Sequence, residues 1–214
     1  MMMNTLSCPL CSHDKPEHFH RDTMREYLHC PVCELVFAHP DSHLSRDEEL
    51  KRYEFHQNNL EDPRYRSFLQ KMSAPILDRI AANSRGLDFG SGPGPLLKLI
   101  FEEQGHTMSV YDTFYAPEEE VFNNSYAFIT ATEVVEHLHK PLVELDRLWS
   151  CLQPQGYLGI MTSLNLPDLN FSTWHYIKDE THVVFFAPQT MIWLAKRWGA
   201  SIEIIGESVI ILQK

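Results

Sequence analysis

The stretch Leu87-Asp88-Phe89-Gly90-Ser91-Gly92-Pro93-Gly94 constrains the fold of this chain more than any other. A short apolar run leads into it, three glycines stand at alternate positions, and the amphipathic run GPLLKLIFEEQG follows, with Gly105 as its stop. Strand, glycine turn and helix is the local reading. Missing Cβ atoms let the backbone turn sharply and let a ligand come close. The helix N-terminus then turns unpaired N–H groups and a positive dipole end toward that ligand. Two phosphate-binding readings fit less well. No Lys followed by Ser or Thr closes the loop, as a P-loop requires. The spacing is G-x-G-x-G rather than the G-x-G-x-x-G of dinucleotide sites. Asp88, just ahead of the loop, would repel a pyrophosphate and suits a ligand carrying an ammonium group.

The pattern around the loop gives the fold class. From Gly86 onward, apolar strands (GLDFG, TMSVYD, YAFITAT, YLGIMTS) alternate with helices (GPLLKLIFEEQG, KPLVELDRLWSCL, APQTMIWLAKRWGA). Pro141 suits a first helical turn, Gly156 is expected to turn the chain, and Gly199 ends the last helix. SIEIIG and SVIILQK follow, separated by a tight turn at Gly206–Glu207. This predicts an α/β fold over residues 86–214, a doubly wound and mostly parallel sheet with an antiparallel C-terminal edge hairpin. Residues 41–85 read as a helical cap or linker. In it, Asp41 and Ser42 cap a short helix, DEELKRYEFHQNN forms a second, Pro63 opens a third, and Pro75 breaks or restarts it before ILDRIAAN. Residues 1–40 hold four of the five cysteines and show no clean period.

LDFGSGPG, then VYD ending the next strand, then ITATEVVEHL together closely resemble class I S-adenosylmethionine-dependent methyltransferases, with a Rossmann-like fold. The resemblance covers residues 86–214 and is nearest to the small-molecule methylases often labelled ubiquinone-biosynthesis-like. It implies a role for each matching position. Asp88 faces the methionine end of the cofactor. Phe89, Gly90, Ser91, Gly92 and Gly94 form the loop beneath it. Asp112, with Thr113 beside it, takes the ribose hydroxyls, a fitting task for a carboxylate that accepts two hydrogen bonds. Glu133, Val134 and Val135 lie near the sulfonium. One departure stands out: only the 13 residues TFYAPEEEVFNNS separate Asp112 from Tyr126. The helix there has one turn at most, the family's third strand is vestigial, and the adenine contact stays unassigned. Phe114 and Tyr115 are equally candidates for stacking and for the core.

Cys8-Pro-Leu-Cys11 and Cys30-Pro-Val-Cys33 form C-x2-C, 18 residues, C-x2-C. This is zinc-ribbon spacing, and four protein ligands make the ion structural. A rubredoxin-type iron site and four metal-free thiols are the alternatives. Leu35-Val36-Phe37 resembles the strand that ends such knuckles. Cys151 falls in a helix as buried filler.

Methyl transfer places the acceptor in line with the sulfonium and needs a base if the acceptor carries a proton. His137, His182 and His175 are the candidates. His137 follows the YAFITAT strand, and the other two belong to the segment 163–187, which is too long for a simple connection and suits a substrate pocket. A Glu136/His137/His182 metal site would serve a catechol-like acceptor. Tyr53 and His56 are candidates to close over the cofactor from the helical zone.

Composition bounds the partners. Asp+Glu 29 against Lys+Arg 18 gives a net charge of −11, and the charges between the cysteine pairs cancel, which argues against nucleic acid. The expected partner is a small-molecule acceptor and the expected state a monomer or weak homodimer. No membrane span or secretory leader is legible, so a cytoplasmic, thiol-reducing setting is expected. The reading is therefore a methyltransferase acting on an O, N or C atom of a small molecule. Its rivals are an RNA or protein methyltransferase docking through the knuckle, and an idle cofactor-binding scaffold.

Overall fold

The computed structural model describes residues 6–54 and 62–214. His56 and the end of the DEELKRYEFHQNN run lie outside the described residues. The cysteine-rich segment contains a hairpin of β1 (Glu17–Arg21) and β2 (Glu26–His29), and β2 pairs antiparallel with β3 (Val36–Ala38). Helices α1 (Arg46–Tyr53) and α2 (Pro63–Leu77) follow. Next come β4 (Arg85–Phe89), α3 (Leu96–Glu103), β5 (Thr107–Tyr111), β6 (Tyr126–Thr132), α4 (Pro141–Cys151) and β7 (Leu152–Met161). The chain continues through β8 (Val184–Phe185), α5 (Pro188–Trp198), β9 (Ser201–Ile205) and β10 (Val209–Gln213).

Six strands form the main sheet in the order β5-β4-β6-β7-β10-β9. β5, β4, β6 and β7 run parallel, and β10 pairs antiparallel with both β7 and β9. The expected α/β, doubly wound Rossmann-like sheet with its antiparallel hairpin is present. Alternation along each strand supplies two apolar faces. Ile129, Ala131, Ile210 and Leu212 pack with Leu145 and Leu148 of α4 and Met191 and Leu194 of α5. Phe128, Val209 and Ile211 face the other way, onto Leu69, Met72 and Ile76 of α2 and Ile100 and Phe101 of α3. The chain leaves β4 toward β5 on one side and later adds β6 on the other. The carboxyl ends of β4 and β6 thus flank the switch point where such sheets bind ligands.

Three expectations need correction. First, α2 is more than a cap or linker, because it also forms a layer on the sheet: a Cβ on Gly159 of β7 would come within 2.5 Å of the Met72 sulfur. Second, α2 runs through Pro75 and ends at Leu77, with no restart. Pro75 falls in the last turn, where the missing N–H forfeits a single bond, and Asp78 N–H still reaches the Ala74 carbonyl at 3.1 Å. Third, Gly156 lies inside β7 rather than at a turn, and its Cβ would stand 3.0 Å from the Ala127 carbonyl oxygen.

Residues 113–125 contribute an isolated bridge, Asp112 to Ala116, and a 3-10 turn, Glu119–Asn123, so β5 is a sheet edge. The N-terminal segment holds more order than its sequence suggests. β3 pairs with β8, giving a second sheet, β1-β2-β3-β8, whose last strand comes from the segment 163–187. Among the described residues no helix is long and apolar enough to cross a membrane.

Candidate active site and cysteine cluster

A cavity of about 420 Å³ opens over the carboxyl ends of β4, β5 and β6, within the usual size range for small-ligand sites. Its floor is the glycine loop. Gly90 and Gly92 have φ of +78° and +63°, values side chains rarely adopt. A Cβ on Gly90 would also lie 2.3 Å from a Val134 methyl carbon. The loop is pinned by Gly90 N–H to the Tyr111 carbonyl at 2.8 Å and by Gly92 N–H to Asp112 Oδ2 at 2.9 Å. Asp112 Oδ1 accepts from the N–H groups of Phe114 and Tyr115 at 2.9 and 3.1 Å. Three of the carboxylate's roughly four lone-pair sites are thereby used, and Oδ2 keeps one for a hydroxyl donor.

Asp88 lines the same cavity, buried, and accepts from the Thr130 hydroxyl at 2.9 Å. Burial raises its pKa to about 7. A buried carboxyl of this kind gains most from an arriving cation. Thr132 Oγ1, at the end of β6, is buried without a hydrogen-bond partner although its residue lines the cavity. Such an orphan is an acceptor and donor for a ligand. Phe89, Ser91, Gly94, Thr113, Glu133 and Val134 line the cavity too. Phe89 stacks on Tyr111 at 5.5 Å. Glu133 sits at φ +52°, a strained conformation of the sort that clusters at working sites. Its pKa is raised to about 8 by burial and by the neighbouring Glu136.

The opposite wall carries His137 and His182, with rings 4.7 Å apart. His137 Nδ1–H donates to the Thr181 carbonyl at 3.1 Å, and His182 Nδ1–H donates to the Tyr176 carbonyl at 2.8 Å. These bonds fix the tautomers and make each Nε2 the basic atom. Behind them is Glu136, fully buried, accepting from Tyr176 Oη at 2.5 Å and Thr162 Oγ1 at 3.0 Å. Burial raises the pKa of Glu136 and lowers that of His182. One ligand atom each from Glu136, His137 and His182 falls within 4.8 Å of the others. The cluster can therefore relay a proton or hold a divalent ion. His175 stands apart from it, exposed and outside the cavity lining.

The roof comes from the helical zone. Tyr53 lines the cavity, 5.5 Å from the Phe114 ring and 5.4 Å from His137. Glu49, Tyr65 and Phe68 also line it. Sequence reasoning missed those three and Thr132. The signal for Thr132 was a hydroxyl at the carboxyl end of a mostly apolar strand.

The four knuckle cysteines converge as well. Cys8 and Cys33 sulfurs are 3.5 Å apart, Cys11 and Cys30 sulfurs 3.3 Å, and all four lie within 4.8 Å. None is in a disulfide. Thiolates about 2.3 Å from a tetrahedral zinc stand about 3.8 Å apart, so the cluster fits such an ion. Without a cation the thiols ionise unevenly: a hydrogen bond from Cys33 lowers Cys8 to about 5, while burial raises Cys11 to about 12.

Fold and cavity together define a Rossmann-like methyltransferase architecture. A family model described as a methyltransferase domain matches residues 35–203, and the chain belongs to that family. Solved structures agree on the fold. A 1,6-didemethyltoxoflavin-N1-methyltransferase from Burkholderia thailandensis is 14% identical with a TM-score of 0.50, over 92% of this chain and 97% of that one. A sarcosine dimethylglycine methyltransferase assignment from Galdieria sulphuraria is 18% identical with a TM-score of 0.54, over 74% of each chain. A SAM-dependent methyltransferase from Archaeoglobus fulgidus is 17% identical with a TM-score of 0.52, over 70% of this chain and 99% of that one. No curated protein sequence matches the chain.

Proposed function

We propose that this chain transfers the methyl group of S-adenosylmethionine to a small-molecule acceptor, in the ubiquinone-biosynthesis-like branch of the family. The observation that carries the reading is the convergence of Asp88, the glycine loop, Asp112 and two oriented imidazoles on one cavity. Asp88 receives the ammonium group, Gly90 to Gly94 pass beneath the methionine end, and Asp112 accepts from the ribose hydroxyls. Thr132, Glu133 and Val134 border the sulfonium, with Phe114 and Tyr115 toward the adenine. Bound there, S-adenosylmethionine supplies an electrophilic methyl group.

The chain's own residues do the rest. Loop and roof hold donor and acceptor in line, the major contribution in such reactions. His182 Nε2, with His137 beside it, accepts the acceptor's proton. The carboxylate of Glu136 stabilises the resulting imidazolium. A small acceptor is supported by the roofed cavity, and by the 1,6-didemethyltoxoflavin bound in the Burkholderia thailandensis structure. The cancelling charges of the knuckle and the net charge of −11 disfavour an RNA acceptor. Zinc on Cys8, Cys11, Cys30 and Cys33 is structural in this reading.

Calorimetry with S-adenosylmethionine and S-adenosylhomocysteine tests it. Micromolar binding is expected, and no heat at millimolar ligand would overturn it. A screen of phenols, amines and carbon acids with labelled methyl donor then identifies the acceptor class. Metal analysis after mild purification should return one zinc per chain, and a content near zero would remove the zinc assignment.

A further inference from the structure

Arg25 belongs to the knuckle by sequence, between the two cysteine pairs, yet its side chain ends against the backbone of the segment that carries His182 into the cavity wall. It is buried, 5% exposed. Its guanidinium donates to four backbone carbonyls of one short segment: Ile177, Asp179 at 3.1 Å, Glu180 at 3.2 Å and His182 at 2.9 Å. Carbonyls turned inward from a segment without a ladder need donors. A planar guanidinium with five N–H groups can satisfy all four at once, whereas an ammonium has three. Arg25 is itself held: Asp22 Oδ1 accepts from its N–H at 2.7 Å, and Tyr27 Oη donates to Asp22 Oδ2 at 2.8 Å.

The segment that Arg25 gathers is the one that orients both imidazoles. His182 lies within it, and the carbonyls of Tyr176 and Thr181 accept the Nδ1–H bonds of His182 and His137. The knuckle reaches this wall by a second route. Cys30 N–H donates to the Leu35 carbonyl at 2.9 Å, so the cysteine turn closes the β2–β3 hairpin. β3 then pairs with β8, and Ala38 N–H donates to the Val183 carbonyl at 2.9 Å. Val183 N–H in turn reaches the Glu136 carbonyl at 2.8 Å.

We propose that Arg25 is a positioning residue for the acceptor side of the site, through which the metal-bound knuckle sets the Ile177–His182 backbone that aims His137 and His182. The proposal rests on the methyltransferase reading for its chemistry, but not for its structural arm.

The test compares the wild type, Arg25→Lys and Arg25→Ala by hydrogen–deuterium exchange, with calorimetry of S-adenosylhomocysteine and turnover of the best acceptor from the screen alongside. In Arg25→Ala, exchange across 176–186 should rise about tenfold or more, since several charge-assisted bonds are lost. Exchange across 86–94 should stay unchanged and S-adenosylhomocysteine affinity should stay within about twofold. kcat should fall while KM for S-adenosylmethionine holds, and guanidinium ion at tens of millimolar should restore part of it. Arg25→Lys should lie between and serves as the readable variant if Arg25→Ala does not fold. Chelation of the knuckle metal from wild type should reproduce the 176–186 exchange change.

Unchanged exchange at 176–186 in both the variants and the stripped protein would overturn the proposal. So would a rise spread evenly over all peptides with no rescue, which marks a purely global role. A wild type that fails to bind S-adenosylhomocysteine would instead refute the function, while the exchange arm still reads the coupling.

Discussion

The two sides of the cavity are built in opposite ways. The side proposed to hold the cofactor is local: Asp88, the glycine loop and Asp112 come from one β-α-β unit of some 25 residues, and backbone bonds such as Gly90 to Tyr111 hold it. The acceptor side is assembled from afar. His137 comes from the turn after β6, His182 from the 163–187 segment and Tyr53 from α1, while Arg25 of the knuckle holds the backbone behind His182. A site for a shared donor can be a compact motif, whereas a wall that chooses among acceptors can draw on whatever the fold brings near. The cofactor side should therefore tolerate damage to the acceptor side, and the acceptor side should fail without disturbing cofactor affinity.

Four experiments can break or sharpen that contrast. The largest effect is expected for His182→Ala: kcat with the identified acceptor should drop about 100-fold or more, the loss typical of a missing general base, with S-adenosylmethionine affinity unchanged by calorimetry. A parallel loss of affinity would erase the distinction. Next, Asp112→Ala removes the carboxylate proposed to take the ribose, together with its bonds from the N–H groups of Gly92, Phe114 and Tyr115, and should weaken S-adenosylhomocysteine binding about 100-fold. Unchanged affinity in a titration would refute the ribose role.

The third prediction concerns pH. Asp88 is raised to about 7 by burial when no cation faces it, and the ammonium of the ligand prefers its ionised form. Binding therefore requires loss of a proton below that pH. Affinity should be about tenfold weaker at pH 6 than at pH 8, with a plateau above. A calorimetric series shows this slope, and Asp88→Asn should flatten it. The smallest effect is expected at His175: with its side chain exposed and away from the cavity, His175→Ala should change kcat/KM by less than about twofold in the same turnover assay. A hundredfold loss would bring it back into the mechanism.

What could be read from the chain follows the same division. Short apolar runs alternating with amphipathic helices, and the alternation of Gly90, Gly92 and Gly94, announce the sheet and its loop because both are local patterns. The YAFITAT strand was placed to the residue, as Tyr126–Thr132, since its burial on both faces leaves a mostly apolar run. The C-x2-C pairs gave the sulfur cluster because ligand spacing is also local. Pro75 misled because a helix tolerates proline where few bonds remain to be lost. The role of α2 as a layer was hidden because an amphipathic helix does not state which surface it covers; Gly159 opposite Met72 answers that only in three dimensions. Nothing near Arg25 in sequence hints at Ile177 or His182. Its partners are backbone carbonyls, which every residue carries alike.

The pairing of β3 with β8 also bears on how this chain comes into being. Val36 meets Phe185 about 150 residues further on, a contact of high order that is slow to form. During synthesis the knuckle leaves the ribosome early, with one strand edge bare. It stays so until four of the six strands of the main sheet have been made. A bare edge is a template for unwanted pairing, and nascent chains are most exposed to it while waiting. Expression at low temperature, with zinc supplied and the C-terminal half intact, should favour soluble protein. Fragments ending before residue 184 should aggregate through the edge that β8 normally closes.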